Sequence, residues 1–514
     1  MISGKNLIEG KWEHNSYAEQ FQTVNPKTNE SLSVAYQQAS NDQIDLAVNA
    51  ASESFDFFGS TTFNERVFLL KSIQEGMQSD KSEIIAAYQA ESALPEGRAN
   101  GEFQRTIDQI QSFIQLLNEG SFIAASIYTK GPDLRKMFYP IGPIVVFGAS
   151  NFPLAFSTAG GDTIAAFAAG CPVIVKAHPY HAGTSELVAQ VIIKAIKKCN
   201  LPLGIFSHLG GKSHEVGSLL VSHPLIKGVG FTGSFSGGKA LYDLAQKRNE
   251  PIPVFAEMGS INPIFILENK LKKDYSVLAE DLAQSVTLGT GQFCTNPGLI
   301  VICDPSGTIN LAKKISESIT DLELPPMVHS NIQKQYDKQL ATLKTKDKLD
   351  ALYSSESCSA TIGSVKASKF LNDHSLTEEV FGPFSLVVEC NSTDEILKLA
   401  ASLEGQLTIT LLGETSDQQV SKKLLSLLKT KAGRILFHGV PTGVAVTQTM
   451  QHGGPYPAST DSRFTSVGTD SIYRWLRPVA FQDCPNDLLP DALKNENPLK
   501  LERKVDGKMN SAAL

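Results

Sequence analysis

The sequence predicts an α/β protein with two open, parallel-type sheets, each in its own domain. First, a chain of 514 residues is too long for one hydrophobic core. Second, near-continuous apolar strands alternate with helices from Pro140 to Glu257. Third, a similar alternation runs from about Asn262 to Thr449. Apolar strands that alternate with helices are typical of parallel sheets covered on both faces.

The flanking regions are predicted to be different. Ile127 to Tyr139 is interpreted as a hairpin around Lys-Gly-Pro-Asp, and Ser471 to Phe481 as a strand. Residues after Gln482 are polar and are expected to form a partly frayed tail. Apolar residues recur at helical spacing in the N-terminal region, in the segments Asn41 to Phe55, Asn64 to Gln74 and Arg105 to Leu117.

Composition excludes several classes of protein. A hydrophobic fraction of 42% and a charged fraction of 19% indicate a globular chain. The net charge is −7 and no basic stripe is present, so we expect no nucleic-acid partner. The longest apolar run, Ile141 to Phe147, is too short to span a membrane, and the N terminus lacks an apolar signal core. Seven irregularly spaced cysteines without Cys-x-x-Cys predict a cytoplasmic protein without disulfides or a metal site.

Polar residues follow four predicted strands in succession. Asn151, Lys176, Ser234 and Glu257 each come within a few residues of an apolar strand. Ligands of open α/β sheets bind beyond the carboxyl ends of the strands. One such residue would carry little weight, but four at consecutive strand ends predict a site.

The turn Phe231-Thr-Gly-Ser234 leads into a helix through Gly237-Gly238. Glycines let backbone approach a phosphate, and a helix N terminus favours an anion, so the turn could bind a pyrophosphate. The alternative is a strand–helix turn whose glycines serve packing. The Gly-x-Gly-x-x-Gly dinucleotide fingerprint is absent.

Three further residues are candidates for chemistry. Cys294 lies in the loop Gly291-Gln-Phe-Cys-Thr295, where a thiol is accessible as a nucleophile, although most cysteines serve packing. Glu257 follows an apolar strand, where a raised pKa would suit a base, but a solvated loop glutamate is the commoner case. His452 is either a base or a polar packing residue.

Together these motifs resemble the aldehyde dehydrogenase superfamily over almost the whole chain. The resemblance rests on five segments in the family's order, which are Gly148-Ala-Ser-Asn-Phe-Pro-Leu154, Phe231-Thr-Gly-Ser234, Glu257-Met-Gly-Ser-Ile-Asn-Pro263, Gly291-Gln-Phe-Cys294 and Glu378-Glu-Val-Phe-Gly-Pro383.

The resemblance implies a role for each catalytic candidate. Cys294 would attack the aldehyde as a thiolate, while the Asn151 amide and the Cys294 N–H hold the oxyanion. Hydride transfer to nicotinamide would leave a thioester, and Glu257 would activate the water that hydrolyses it. The implied cofactor-binding residues are Lys176, Gly233, Ser234, Gly238, Glu379 and Phe381.

The cofactor is predicted to be NADP or NAD. Many relatives that prefer NAD have Lys-x-x-Glu after the second strand, whereas this chain has Lys176-Ala-His-Pro179. Without that carboxylate a 2′-phosphate would meet no repulsion, and Lys212 or His214 could pair with it. We therefore hypothesise that NADP is accepted or preferred.

The segments Pro172-Val-Ile-Val-Lys-Ala-His-Pro179 and His452-Gly-Gly-Pro-Tyr-Pro-Ala458 are similar to those of α-ketoglutaric semialdehyde (2,5-dioxovalerate) dehydrogenases and of NADP-dependent fatty aldehyde dehydrogenase. That likeness implies an acid/base role for His452. A substrate carboxylate would need a guanidinium, and Arg463 is the candidate, unless it only pairs with Asp461. Phe156 is a second candidate for substrate contact.

Other functions remain open at this point. The substrate could be a fatty or other medium-chain aldehyde. A thiol hydrolase built on Cys294 would need no nicotinamide, but the Phe-Thr-Gly-Ser turn and Glu379-Val-Phe-Gly-Pro383 argue against it. A non-catalytic relative would be expected to lack Cys294 or Glu257, and both are present.

The resemblance also implies the domain boundaries. Residues 1–125 and 141–258 would form a cofactor-binding domain, and 259–467 a catalytic domain. Residues 126–140 and 468–485 would form a β-flap, followed by a C-terminal tail at 486–514. An exposed apolar hairpin suits an interface, so a homodimer or homotetramer is expected.

Overall fold

The computed structural model describes residues 2–319, 322–345, 348–354, 359–441 and 443–514. The strands among them are β1 Asn6–Ile8, β2 Lys11–Glu13, β3 Gln20–Asn25, β4 Glu30–Gln37, β5 Ser126–Tyr128, β6 Leu134–Pro140, β7 Ile144–Phe147, β8 Val173–Lys176, β9 Phe206–Leu209, β10 Gly228–Thr232, β11 Val254–Glu257, β12 Ile264–Ile266, β13 Leu299–Cys303, β14 Ala351–Ser354, β15 Thr361–Lys366, β16 Phe384–Cys390, β17 Gln406–Leu412, β18 Ala432–Leu436, β19 Leu476–Gln482, β20 Arg503–Val505 and β21 Lys508–Asn510.

The N-terminal helices begin where the sequence offers capping residues. Ser40 and Thr62 each form a capping box with the residue three positions on, which satisfies backbone N–H groups that would otherwise be unpaired. The helices are α1 Asn41–Gly59, α2 Phe63–Ser79, α3 Lys81–Ser92, α4 Glu96–Glu119, α5 Gly161–Ala169, α6 Ala182–Lys198, α7 Glu215–Ser222, α8 Phe235–Gln246, α9 Glu268–Thr287, α10 Leu311–Ile319, α11 Ser330–Lys344, α12 Ala367–Asn372, α13 Thr393–Ser402 and α14 Gln418–Leu428.

Two seven-stranded sheets form the two lobes. The first has the order β11-β10-β7-β8-β9-β1-β2 and is parallel from β11 to β9. The second has the order β14-β15-β16-β13-β12-β17-β18 and is parallel except for β14. Every residue of β7, β13 and β17 is buried, because helices cover both faces. The predicted fold class is confirmed.

A third sheet has the order β19-β6-β5-β20-β21. The predicted hairpin of β5 and β6 is present, with Ile127 paired to Arg135. The predicted strand from Ser471 begins later than expected. Thr469–Trp475 is a 3₁₀ helix whose Trp475 is completely buried, and only Leu476–Gln482 pairs with β6.

Residues 486–514 are packed against the protein, so of the expected ordered-to-frayed tail the structure shows the ordered part. β20 extends the third sheet beside β5, and Leu493 is completely buried. Arg503 is also completely buried, and its guanidinium donates to the carbonyl oxygens of Lys494 and Ala512. A polar composition hid this packing because both Nη atoms of the arginine donate to backbone carbonyls.

Candidate active site

The polar residues predicted at strand ends share one edge of the first sheet. β7, β8, β10 and β11 are parallel, so their carboxyl ends point the same way. β7 lies between β8 and β10, where the direction of strand progression reverses. Such a switch point leaves an open crevice for a ligand.

Cys294, His452 and Glu257 form a contiguous array at this edge. Cys294 Sγ lies 3.4 Å from His452 Nε2. His452 Nδ1 lies 3.1 Å from Glu257 Oε2 and 2.9 Å from Ser466 Oγ. The imidazole therefore stands between the thiol and the carboxylate, and both nitrogens have a partner. A thiol, an imidazole and an orienting carboxylate in this order can generate a nucleophile.

The charges beside His452 set its protonation state. Its side chain is 3% exposed, and this burial on its own would lower the pKa of the imidazole. The interactions with Cys294 and Glu257 outweigh burial and raise the pKa of His452 to about 10. The histidine is therefore an imidazolium at neutral pH, placed between the sulfur and the carboxylate.

The Glu257–His452 contact joins the two lobes. Glu257 ends β11 of the first sheet, whereas His452 follows the last strand of the second sheet. The chain beyond His452 then runs antiparallel to the end of β11. Met258 N donates to Ala458 O at 2.8 Å, and Thr460 N donates to Ala256 O at 3.2 Å. This pairing fixes the histidine loop against the glutamate.

The loop that carries Cys294 is tied down on both sides. The Asn262 amide donates to the carbonyl oxygens of Cys294 and Asn296, both at 2.9 Å. Gly291 has a φ of +65°, and a Cβ there would lie 2.2 Å from the Gly382 backbone. Glycine is required at this position because the loop passes directly against the neighbouring segment.

Asn151, predicted to bind an oxyanion, lies beside the nucleophile loop. Its amide nitrogen donates to Gln292 O at 2.9 Å, which fixes the amide relative to the loop. An amide nitrogen carries two hydrogens, so a second hydrogen is available to a ligand. Asn151 and Cys294 line the same cleft.

Two clefts meet at Cys294, each with a cavity of about 260 Å³. The arginine cleft lies between α4 and the 443–444 segment. Its walls are lined by Arg98, Glu102, Arg105, Phe152, Phe156, Phe293, Val444 and His452. The Ser234 cleft lies at the switch point and is lined by Asn151, Tyr180, Gly233, Ser234, Glu257, Asn331, Gln335, Glu379 and Phe381. The nucleophile is therefore accessible from two directions.

The Ser234 cleft has groups that fit a dinucleotide. Ser234 is the N-cap of α8, and its Oγ accepts from Gly237 N at 3.2 Å. The positive end of this helix opens on the cleft, where it favours a pyrophosphate. On the opposite wall, burial raises the pKa of Glu379 to about 7, so a partner such as a ribose hydroxyl would satisfy a desolvated carboxyl group.

The remaining predicted cofactor residues do not line the Ser234 cleft directly. Lys176 ends β8, and its Nζ donates to Gly211 O at 2.6 Å. Gly238 is buried under Met258, where a Cβ would lie 2.7 Å from the Met258 side chain. Gly238 therefore serves packing, which was the alternative to pyrophosphate binding for the glycines of this turn. Lys212 and His214 are exposed beside the start of α7.

Arg463 has no place in either cleft, which corrects the prediction that it contacts substrate. Its side chain is 80% exposed and pairs with Asp461. Nε donates to Asp461 Oδ1 at 2.8 Å, so the guanidinium is held by its own loop. Phe156, the second predicted substrate contact, does line the arginine cleft, 6.0 Å from the His452 ring between centroids.

Sequence reasoning missed the arginines of the cleft. Arg98 and Arg105 belong to α4, far along the chain from the motifs around Cys294. The segment Gly97-Arg-Ala-Asn-Gly101-Glu-Phe-Gln-Arg105 did contain a signal, because two glycines about one turn apart are unusual at the start of a helix. Tyr180, Asn331 and Gln335 in the Ser234 cleft were also missed, and nothing in their local sequence indicates them.

Two absences hold for the described part of the chain. Its histidine, cysteine and acidic side chains include no group of three that could hold a metal ion. No helix within it has the length and apolar character needed to cross a membrane.

Comparison with known proteins agrees with this geometry. Residues 12–456 match the model of the aldehyde dehydrogenase family. "Alpha-ketoglutaric semialdehyde dehydrogenase 2" of Azospirillum brasilense is 42% identical over 91% of this chain and 92% of its own length. "Alpha-ketoglutaric semialdehyde dehydrogenase" of Acinetobacter baylyi is 40% identical over 98% of both chains.

Solved structures share the fold at lower identity. A 1-pyrroline-5-carboxylate dehydrogenase superposes with a TM-score of 0.79 at 21% identity, covering 93% of this chain and 92% of that one. Betaine aldehyde dehydrogenase from Staphylococcus aureus, solved with NAD+, gives 0.80 at 15% identity, covering 94% and 96%. With the site geometry and the family match over most of its length, the chain belongs to the aldehyde dehydrogenase family.

Proposed function

We propose that this NAD(P)-dependent enzyme oxidises α-ketoglutaric semialdehyde (2,5-dioxopentanoate) to 2-oxoglutarate. The observation that carries the proposal is the Cys294–His452–Glu257 array where an arginine-lined cleft meets a cleft suited to a dinucleotide. Relatives at 40–42% identity carry the name of this activity. The aldehyde, water and NAD(P)+ yield the carboxylate, NAD(P)H and two protons.

Cys294 attacks the aldehyde carbon from the junction of the clefts. The His452 imidazolium stabilises the thiolate before attack, because it lies 3.4 Å from Sγ. The new oxyanion is within reach of the second hydrogen of the Asn151 amide, which Gln292 O holds in place. The product of attack is a thiohemiacetal on Cys294.

Residues of the Ser234 cleft hold NADP or NAD. Gly233 and Ser234 would bind the pyrophosphate at the start of α8, and Glu379 would bind a ribose. Phe381 lines the same cleft. A bound nicotinamide would supply the hydride acceptor, and Cys294 would then hold a thioester.

The His452–Glu257 pair activates the water that hydrolyses the thioester. Once Cys294 is acylated, the negative charge that helped to keep His452 protonated is gone. The imidazolium then releases its proton to solvent, and the neutral imidazole takes a proton from the attacking water, while Glu257 orients Nδ1 from 3.1 Å. In this proposal His452 takes the proton from water and Glu257 orients the imidazole. The family resemblance had instead implied that Glu257 activates the water by itself.

The test is a substrate panel on the purified protein. Initial rates of NAD(P)H formation are measured with 2,5-dioxopentanoate, succinic semialdehyde, pentanal and decanal. We expect the highest kcat/KM for 2,5-dioxopentanoate. A higher value for decanal would overturn the proposal. Cys294→Ala should abolish NAD(P)H formation yet retain cofactor binding in a fluorescence titration, and retained turnover would refute the thioester route.

A medium-chain or fatty aldehyde is the second candidate substrate. Phe152, Phe156 and Phe293 line the arginine cleft with aromatic rings, which suit an aliphatic chain. The same panel separates the candidates, because a preference that grows with chain length is expected only for a fatty substrate. A hydrolase without nicotinamide would release acid from an ester and leave the aldehydes unreacted.

We also propose a homodimer or homotetramer built on the third sheet. β21 and β19 are its edge strands, and unpaired strand edges favour association with another chain. Tyr128, Leu134 and Met509 expose apolar side chains on this sheet. Light scattering coupled to size-exclusion chromatography would test the proposal, and a monomer at micromolar concentration would overturn it.

The cysteines support a cytoplasmic location, which we propose. The seven cysteines are irregularly spaced and include no Cys-x-x-Cys pattern. Such spacing without a disulfide framework is typical of proteins in a reducing compartment. Fractionation of cells that express the protein would test the location.

A further inference from the structure

The face of α4 that lines the arginine cleft combines charge with empty space. Gly97, Arg98, Gly101, Glu102 and Arg105 line the cleft at helical spacing. A Cβ added at Gly97 or Gly101 would meet nothing within 4 Å. Helix glycines reduce stability relative to alanine, and these two serve no close packing. They keep a volume open beside the arginines.

Arg105 has hydrogen-bonding capacity that the described part of the protein does not use. One Nη donates to Val444 O across the cleft, whereas the buried Nε has no partner among the described residues. Burial lowers the pKa of Arg105, and the interaction with Cys294 opposes that shift, so the guanidinium lies within electrostatic reach of the nucleophile. An unpaired buried donor on a cation is costly unless a ligand satisfies it.

Arg98 is less free to bind a ligand than Arg105. Its guanidinium carbon lies 4.3 Å from the ring centre of Phe152 and 4.2 Å from that of Phe293. Its Nε is 3.7 Å from Glu102 Oε2. Arg98 therefore contributes charge and holds the aromatic walls in place.

Glu102 does not neutralise the cleft by itself. Its Oε1 accepts from Leu154 N at 2.8 Å and Ala155 N at 3.0 Å, while Tyr88 donates to Oε2 at 2.7 Å. This carboxylate is committed to fixing the 154–155 segment. With Arg98 and Arg105 on the same face, the wall carries two positive charges and one negative charge.

We propose that Arg105 binds the carboxylate of the substrate at the far end from the aldehyde, with Gly101 providing the room. The inference rests on the proposed function, whose substrate places four carbon–carbon bonds between its aldehyde and carboxylate carbons. The carboxylate satisfies the buried Nε of Arg105 while the aldehyde carbon reaches Cys294. Arg105 is thus a specificity residue and takes no part in bond making.

The experiment compares Arg105→Met with the wild type on two five-carbon substrates. 2,5-Dioxopentanoate carries the carboxylate, and pentanal does not. We expect Arg105→Met to lower kcat/KM for 2,5-dioxopentanoate about 100-fold, mainly through KM, because a charge-assisted hydrogen bond is lost. Pentanal oxidation should change less than threefold, and Arg105→Lys should restore part of the lost affinity.

Arg463→Met is the matched control, since it removes an exposed guanidinium from outside the clefts. It should leave both substrates unchanged. Equal losses on both substrates in Arg105→Met would indicate a structural role and overturn the inference. An unchanged KM for 2,5-dioxopentanoate would overturn it as well.

A binding measurement separates this inference from the proposed function. Glutarate should inhibit pentanal oxidation competitively in the wild type and about 100-fold more weakly in Arg105→Met. If the wild type oxidises pentanal better than 2,5-dioxopentanoate, the proposed substrate is wrong, yet relief of glutarate inhibition would still support the carboxylate subsite. Equal inhibition of both proteins would refute that subsite.

Discussion

At the residue scale, chemistry depends on how charge is compensated around a few buried groups. His452 is protonated because Cys294 and Glu257 adjoin it, and Arg105 keeps an unpaired donor because the helix leaves it space. Cys294 and Glu257 could be identified from local motifs. Arg105 could not, because its role arises from a helix that is brought to the cleft by the packing of the whole lobe.

The protonation state of His452 leads to a first prediction. His452→Gln should slow alkylation of Cys294 by iodoacetamide at pH 7, since the thiolate loses its cationic partner. The raised pKa of His452 keeps the imidazolium intact from pH 6 to 8, so the wild-type rate should exceed that of the variant over that whole range. The variant's rate should rise with pH.

Turnover of the same variant should fall roughly 100-fold or more, because the base for hydrolysis is lost. Asn is too short to keep the contact with Cys294, so Gln is the closer neutral replacement. Ser466→Ala is a milder comparison, since it removes one of two partners of Nδ1. A His452→Gln protein with wild-type alkylation and turnover would contradict the prediction.

Pro179 stands where many relatives that prefer NAD have a glutamate. This difference leads to a second prediction, which concerns the cofactor. Catalytic efficiency with NADP should equal or exceed that with NAD. Burial lowers the pKa of Lys176 to about 8, so the ammonium is present below that pH and is lost as pH rises through it. Lys176 Nζ binds Gly211 O, next to Lys212, so its charge lies beside the predicted 2′-phosphate site. The KM for NADP should therefore rise between pH 7 and 9, and more steeply than the KM for NAD.

Steady-state kinetics with both cofactors across this pH range provide the measurement. Lys212→Ala tests whether the exposed lysine beside α7 meets the 2′-phosphate, as the sequence predicts, with Lys227→Ala as a remote surface control. A strong preference for NAD in the wild type would contradict the prediction.

At the element scale, the glycines of α4 lower the stability of the helix and leave the arginine cleft open. The sequence predicted a helix from Arg105 to Leu117, but α4 begins at Glu96 and includes two glycines. Those glycines lower helix propensity, and tertiary packing compensates through buried residues such as Phe103 and Ile110. The same glycines that leave the arginine cleft open weaken the helical pattern in the sequence. The sequence therefore did not predict the first turns of α4.

Gly101→Ala provides a third prediction. The added Cβ meets nothing within 4 Å, so the variant should raise the free energy of unfolding by up to about 1 kcal/mol. The methyl group narrows the arginine cleft, and the KM for 2,5-dioxopentanoate should rise. Thermal unfolding and steady-state kinetics measure both effects. Lower stability would show that the glycine is needed for packing.

At the scale of the whole molecule, the third sheet assembles segments from distant parts of the chain. Its strands come from residues 126–140 and from beyond residue 475. Alternation predicted the two parallel sheets and the hairpin, because those depend on local periodicity. It could not predict β20 and β21, which are three residues each and acquire their partners only through tertiary packing.

A truncation that removes residues 501–514 provides a fourth prediction. Leu501 is 7% exposed and lies beside Gly120 in the core cluster against which Phe63 packs, so its loss should cost at least about 2 kcal/mol of folding free energy. Thermal unfolding and size-exclusion chromatography provide the measurements. Unchanged stability and assembly would mean that β20 and β21 contribute nothing to either.

The placement of Glu257 and His452 on different lobes has a consequence for the protection of the thiol. The positive charge that activates Cys294 depends on a glutamate that belongs to the opposite half of the molecule. A separation of the halves would remove that carboxylate from the histidine and weaken the activation of the sulfur. Cys294 is therefore fully reactive only while the two lobes are in contact. If the lobes separate, the cysteine that becomes exposed to oxidants and other electrophiles is less reactive.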